Sequence, residues 1–142
     1  MMDCVLHPLG SAGPYKYVVV LSRYRGQLLL SRHRRRTTWE TQGGHIEPGE
    51  QPIEAAHREL REESGAVEYT LRPLCDYWAG PPDDHATGVV FLADITRLGE
   101  LPQDFEMAQV GLFDHLPGDL SYPWITPKLY EAAGDFFGPR RG

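Results

Sequence analysis

The amino-acid sequence predicts an α/β sandwich built on a mixed β-sheet. Three observations lead there. Apolar runs of strand length recur, as in Val18-Val19-Val20-Leu21 and Leu28-Leu29-Leu30. Two helical segments, Pro52 to Ser64 and Thr126 to Phe137, sit in different sequence neighbourhoods among the strands. No internal repeat, low-complexity stretch or linker interrupts the pattern, and 142 residues suffice for one core, so a single domain over residues 1–142 is expected.

Taken in order, Lys16 to Leu21 and Gln27 to Arg32 read as strands joined through Arg25-Gly26, a hairpin signal. Thr37 to Thr41 reads as a short strand before Gly43-Gly44, and Glu47-Pro48-Gly49 reads as a turn. Pro52 suits the first position of a helix and Gly65 the position just past its end, although Gln51 is a poor N-cap. Further strands are expected at Val67 to Leu74, Cys75 to Trp78, Gly88 to Asp94 and Val110 to Phe113, with Gly80 to Asp84 as a loop. The last helix begins at Pro127 and is weakened by Gly134.

Composition narrows the function. The apolar runs are too short to span a bilayer, and the N-terminus lacks the basic and long apolar segments of a signal peptide. Cys4 and Cys75 stand far apart without metal-ligand spacing, which fits a reduced, cytoplasmic protein. A net charge of −6 argues against general affinity for nucleic acid polymers. The basic block Arg32-His33-Arg34-Arg35-Arg36 nevertheless precedes an acid-rich stretch from Glu47 to Glu63. An anionic substrate held between arginines and metal-loaded carboxylates fits that contrast; so does a solvated loop followed by a charged helix face.

On a helical wheel, Ile53, Ala56 and Leu60 share a stripe that should pack on the sheet. Glu59, Glu62 and Glu63 form the adjoining stripe, at spacings where like charges destabilise a helix by a few tenths of a kcal/mol per pair (~0.2–0.5). Glu62 and Glu63 also occupy the last turn, where the helix dipole disfavours anions. Broken local rules of this kind are expected at functional sites, and three carboxylates offer the hard oxygen ligands that bind magnesium or manganese. A solvated acidic face is the competing account of the helix alone.

The spacing around the helix distinguishes these accounts. The segment Gly44 to Ala66, GHIEPGEQPIEAAHRELREESGA, resembles the Nudix (MutT-type) box, G-x5-E-x7-R-E-U-x-E-E-x-G-U with U apolar. Gly44, Glu50, Arg58, Glu59, Leu60, Glu62, Glu63, Gly65 and Ala66 fill every fixed position. One departure stands just upstream, where the family commonly has proline before the paired glycines and this chain has Gln42. The resemblance implies an α/β/α sandwich with the box as a loop–helix–loop. It also implies a Mg2+-dependent hydrolase, with Mn2+ able to substitute, that cuts a diphosphate linkage in a small nucleotide substrate. By motif position, Glu59, Glu62 and Glu63 are the implied metal ligands, joined by the Gly43 carbonyl. Arg58 would orient the carboxylates through charge-assisted hydrogen bonds, and Gly44 would permit a close approach. Family members often add a later acidic residue as ligand or general base; Glu106 is the candidate, with Asp104 as fallback. Either Glu59 or Glu106 would accept the proton of the attacking water.

For the substrate, Arg32, Arg34 and Arg35, with Arg36, are placed to reach phosphates, although solvated surface roles compete at each position. Trp78, with Tyr77 and Trp124, is a candidate to stack on a base. The arrangement Phe91 to Ile95, Phe105-Glu106 and Leu112 to Pro117 resembles members that hydrolyse nucleoside triphosphates, including oxidised purine nucleotides such as 8-oxo-dGTP. Pro82, 16 residues after the box, instead resembles ADP-ribose-cleaving members, making a nucleoside-diphosphate-X pyrophosphatase the alternative. A non-catalytic nucleotide-binding domain fits less well, because such domains usually lose a box carboxylate and this chain keeps them all.

Overall fold

The computed structural model of the protein describes residues 3–137. Its strands are β1 (Asp3–His7), β2 (Tyr17–Tyr24), β3 (Gln27–His33), β4 (Gln42–His45), β5 (Ala66–Gly80), β6 (Ala86–Leu98) and β7 (Met107–Phe113). Helix α1 covers Pro52–Ser64, and α2 covers Thr126–Ala133 before a 3-10 turn at Gly134–Phe137. One sheet runs in the order β1-β5-β6-β2-β3-β7, with β4 also paired to β2. The β2–β6 pair is parallel and the others are antiparallel, so the sheet is mixed as expected.

Strand β2 is the keel. One edge pairs with β6 along its whole length. The other edge forks: Tyr17 to Val20 face β4, while Ser22 to Tyr24 face β3. Gln42 plugs the fork. Its Nε2 donates to the Leu29 carbonyl at 3.3 Å and to Ser31 Oγ at 2.9 Å, and its Oε1 accepts from Ser22 Oγ at 2.5 Å. Backbone polar groups that a divided sheet would strand therefore find a side-chain partner. Proline could not serve there, which gives the Gln42 departure a physical reason.

Helix α1 packs on one face through Ala55, Ala56 and Leu60, against Val18, Val20, Leu29 and Phe91. Burying a leucine side chain is worth about 2 kcal/mol, so Leu60 is a substantial anchor. Leu129 of α2 packs on the opposite face with Leu21, Tyr77, Val90 and Leu92. The result is an α/β/α sandwich. Among the described residues, no helix is long and apolar enough to cross a membrane.

Several expected boundaries differ. Thr37 to Thr41 is not a strand: only isolated bridges form there, Ser31 with Glu40 and Trp39 with Leu120, and β4 begins at Gln42. The glycine pair lies close against β2 and makes the ladder, Val18 opposite Gly44 and Val19 opposite Gly43. Val67 to Leu74 and Cys75 to Trp78 are one strand, β5, continued through Pro73 with an irregular register between Pro73 and Cys75. Strand β1 pairs only from Asp76 onward, so at Pro73 that edge needs no amide donor. Strand β1 itself was not anticipated. Ile53 is 38% exposed rather than packed on the sheet; the buried side chains of α1 begin at Ala55. Gly134 ends α2 at Ala133, short of the expected Phe137.

Candidate active site

Helix α1 begins cleanly despite its weak N-cap because Glu54 accepts the Gln51 N–H at 2.9 Å. It ends at Gly65, in the left-handed conformation, whose N–H donates to the Arg61 carbonyl at 3.1 Å. Between these caps the acidic stripe is turned towards β4. A Cβ on Gly44 would stand 2.8 Å from Glu59 Oε1, so the missing side chain is the space the carboxylate occupies. Glu63 Oε1 accepts the Gly43 N–H at 2.8 Å, and Ser31 Oγ donates to the Glu63 carbonyl at 2.7 Å.

These acids are held under electrostatic stress. Glu59 is 9% exposed and Glu63 7%. Burial pushes the Glu63 carboxyl up to about 9, and the neighbouring charge of Glu59 adds to the effect. Burial also raises Glu59 and Glu62, against the opposing pull of Arg58. Arg58 is the local cation. Its Nε and Nη2 donate to Glu50 at 2.9 and 3.0 Å, its Nη1 to Glu59 Oε1 at 2.7 Å, and its Nη2 to the His45 carbonyl at 3.1 Å. Glu47 and Glu62 stand 3.8 Å away. Gripped by Arg58 and by the Glu47 N–H, Glu50 is held down to about 2, while Arg58 is pushed well above the usual guanidinium value.

Glu106 lies exposed just before β7, and its charge acts on both Glu59 and Glu63. Asp104 is exposed nearby. Among the described residues, no three carboxylate, imidazole or thiol groups stand preassembled as a metal cage. The donor set still fits a hard divalent cation in kind. It supplies carboxylate oxygens, two from buried residues, whose mutual repulsion such a cation would relieve.

A cleft of about 380 Å3 opens beside the glycine pair. Tyr17, Tyr77, Tyr122 and Trp124 line it, with Glu40 and His45 at the same cavity. Tyr17 and His45 meet at a tilt with ring centroids 4.4 Å apart, and Tyr122 meets Trp124 edge-on at 6.1 Å. Trp78 does not line this cleft; it stacks on His85 at 4.6 Å. Nor do the arginines. Arg32 donates to Gln109 Oε1 at 3.1 Å and the Arg36 carbonyl at 3.0 Å, and Arg34 to the carbonyls of Gln103 and Phe105 at 3.0 and 3.1 Å. Arg35 is exposed, with no side-chain partner among the described residues. Arg36 joins Glu40 at 3.2 Å to the Tyr122 hydroxyl at 3.1 Å, so it reaches the cleft through its partners. The sequence reading missed Glu40, Tyr17, His45 and Tyr122; an acid three residues before the glycine pair was the one available signal.

The family model described as the NUDIX domain matches residues 14–127. A relative from Bacillus subtilis, YtkD, whose name proposes an 8-oxo-dGTP diphosphatase, is 37% identical over 106 residues, 75% of this chain and 66% of that one. An RNA pyrophosphohydrolase of Xanthomonas oryzae pv. oryzae is 45% identical over 49 residues, 34% of this chain and 24% of that one. The matches thus span less than two thirds of those curated relatives. A crystal structure of the Bacillus subtilis pyrophosphohydrolase BsRppH superposes with a TM-score of 0.75 at 28% identity, covering 93% of this chain and 89% of that one. With the family matched across most of its length and a complete box built around α1, the chain belongs to the Nudix hydrolase family.

Proposed function

We propose that the protein hydrolyses a phosphoanhydride bond in a nucleoside triphosphate, oxidised purine nucleotides such as 8-oxo-dGTP included, releasing a monophosphate and pyrophosphate. One observation carries this reading: the buried acids of α1 lie against the glycine pair that borders an aromatic cleft of about 380 Å3. That volume is typical of small-molecule sites.

In this reading Glu59, Glu62 and Glu63, with the Gly43 carbonyl and Glu106, hold Mg2+ or Mn2+. The bound cation would supply phosphate-charge neutralisation and acidify water. Arg58 orients Glu59 from one side while Glu50 anchors Arg58 from the other. Glu106, or Glu59, takes the proton as water attacks phosphorus. The aromatic walls bind the nucleoside, and positioning with electrostatics provides most of the rate.

The relatives named for RNA favour a second reading, the same bond cut at the 5′-triphosphate end of an RNA. A net charge of −6 argues against broad polymer affinity but not against capture of one chain end. A panel of 8-oxo-dGTP, dGTP, GTP, ADP-ribose and a 5′-triphosphorylated oligonucleotide, each with Mg2+ and products identified, tests both. Cleavage of none of them would overturn the enzyme reading.

A further inference from the structure

The loop between β3 and β4 grips the segment that carries Glu106. The Arg34 N–H donates to the Glu106 carbonyl at 2.9 Å, and the Arg34 guanidinium donates to the Gln103 and Phe105 carbonyls at 3.0 and 3.1 Å. His33 ends β3 where the β3–β7 register shifts, opposite Met107. Its Nε2 lies 3.6 Å from Glu106 Oε2. The other ring nitrogen, Nδ1, accepts the Arg35 N–H at 3.1 Å. An accepting Nδ1 leaves the ring proton on Nε2, the atom that faces the carboxylate.

The two side chains differ sharply in freedom: His33 is 22% exposed and Glu106 75%. An exposed glutamate samples many rotamers, and holding its oxygens in one place costs side-chain entropy. A ring fixed by the strand behind it and by a backbone N–H offers a stationary contact for that carboxylate. We propose that His33 is a positioning residue for Glu106, with Arg34 fixing the loop beneath it. This rests on the reading of Glu106 as a group of the active site. It also gives part of the basic block a task other than gripping phosphate, since the Arg34 guanidinium already serves two carbonyls.

Two measurements test the pairing. In the metal-free protein, the His33 ring nitrogens read by 15N NMR should show Nε2 protonated and Nδ1 not, and Glu106→Gln should move the Nε2 signal. An Nε2 signal indifferent to Glu106→Gln overturns the proposal. In turnover, His33→Ala should lower kcat roughly 10- to 100-fold with little change in KM, the range for removing a residue that orients another. His33→Gln, whose amide can replace the Nε2 donor, should recover most of that loss. Wild-type kcat in His33→Ala beside a crippled Glu106→Gln overturns the proposal while the Glu106 reading stands. Wild-type kcat in Glu106→Gln removes the reading and the proposal together. The ring signals come from wild-type and Glu106→Gln protein, so the test does not depend on how well the alanine variant folds.

Discussion

Arg58 grips Glu50 through two hydrogen bonds, Nε to Oε2 at 2.9 Å and Nη2 to Oε1 at 3.0 Å, and extends Nη1 to Glu59 Oε1 at 2.7 Å. Only a planar guanidinium serves both acids in this way; a lysine ammonium is a point donor. Arg58→Lys is therefore expected to lower kcat at least about tenfold while circular dichroism stays native, because Glu59 loses its orientation. The acid limb of stability gives an independent check. Glu50 is depressed to about 2, so its contribution is present above the unfolded value near 4.5 and fades as pH falls through about 2. In Glu50→Gln the loss of Tm between those pH values should be shallower than in wild type.

Gly44 and Gly43 should fail in different ways. Alanine at Gly44 meets the far end of a flexible side chain, with Glu59 Oε1 at 2.8 Å and Oε2 at 3.1 Å. The fold can yield there by swinging the carboxylate. Gly44→Ala should keep Tm within a few degrees, corresponding to about 1 kcal/mol, and lose most turnover. Alanine at Gly43 meets the Val18 carbonyl oxygen, a backbone atom, at a φ of +152°. Gly43→Ala should lower Tm markedly. Equal Tm values for the two variants would show that the carboxylate is not what fills the space over Gly44.

The box was legible because its spacing carries both geometry and chemistry. Pro52 and Gly65 bounded α1 correctly, and the repulsive stripe Glu59, Glu62, Glu63 marked a helix face that stability alone would not choose. What stayed hidden depended on partners distant in sequence. Gln42 reads as an anomaly until Ser22, Leu29 and Ser31 surround it. The arginine block reads as a phosphate grip because its carbonyl partners, Gln103 and Phe105, lie some seventy residues away. Trp78 and Trp124 look alike in sequence, yet alternation along β5 and the position of the segment before α2 send only Trp124 to the cleft.

The stressed acids predict an unusual pH profile for the metal-free protein. Glu63 is raised to about 9, chiefly by burial. A carboxyl raised on folding contributes stability that is full below its unfolded value and is lost as pH rises through the folded one. Metal-free protein should therefore lose Tm progressively from about pH 4.5 towards pH 9. Glu63→Gln should flatten that slope and raise Tm at pH 8, while millimolar Mg2+ should raise Tm in wild type more than in the variant. A metal-free profile unchanged by Glu63→Gln would mean this carboxyl is not the stressed group.

Substrate order follows from where charge and aromatic surface lie. A nucleoside triphosphate carries more negative charge than ADP-ribose, so it should gain more from cations near the site. Of the block, Arg35 has no side-chain partner among the described residues, and Arg36 stands beside Glu40 and Tyr122 at the cleft. Exposed arginines add only about 0–1 kcal/mol each, so the preference should be moderate and should shrink with added salt. The expected result is a kcat/KM for 8-oxo-dGTP or another nucleoside triphosphate above that for ADP-ribose. Arg35→Ala should narrow that gap through KM. Arg34→Ala should slow both substrates alike, because its guanidinium holds the Glu106 segment. Trp124→Ala should raise KM for both, since every purine presents a face to stack. Side-by-side kinetics decide the matter: faster cleavage of ADP-ribose would overturn the triphosphate assignment, and with it the role given to Arg35, while leaving the hydrolysis at α1 intact.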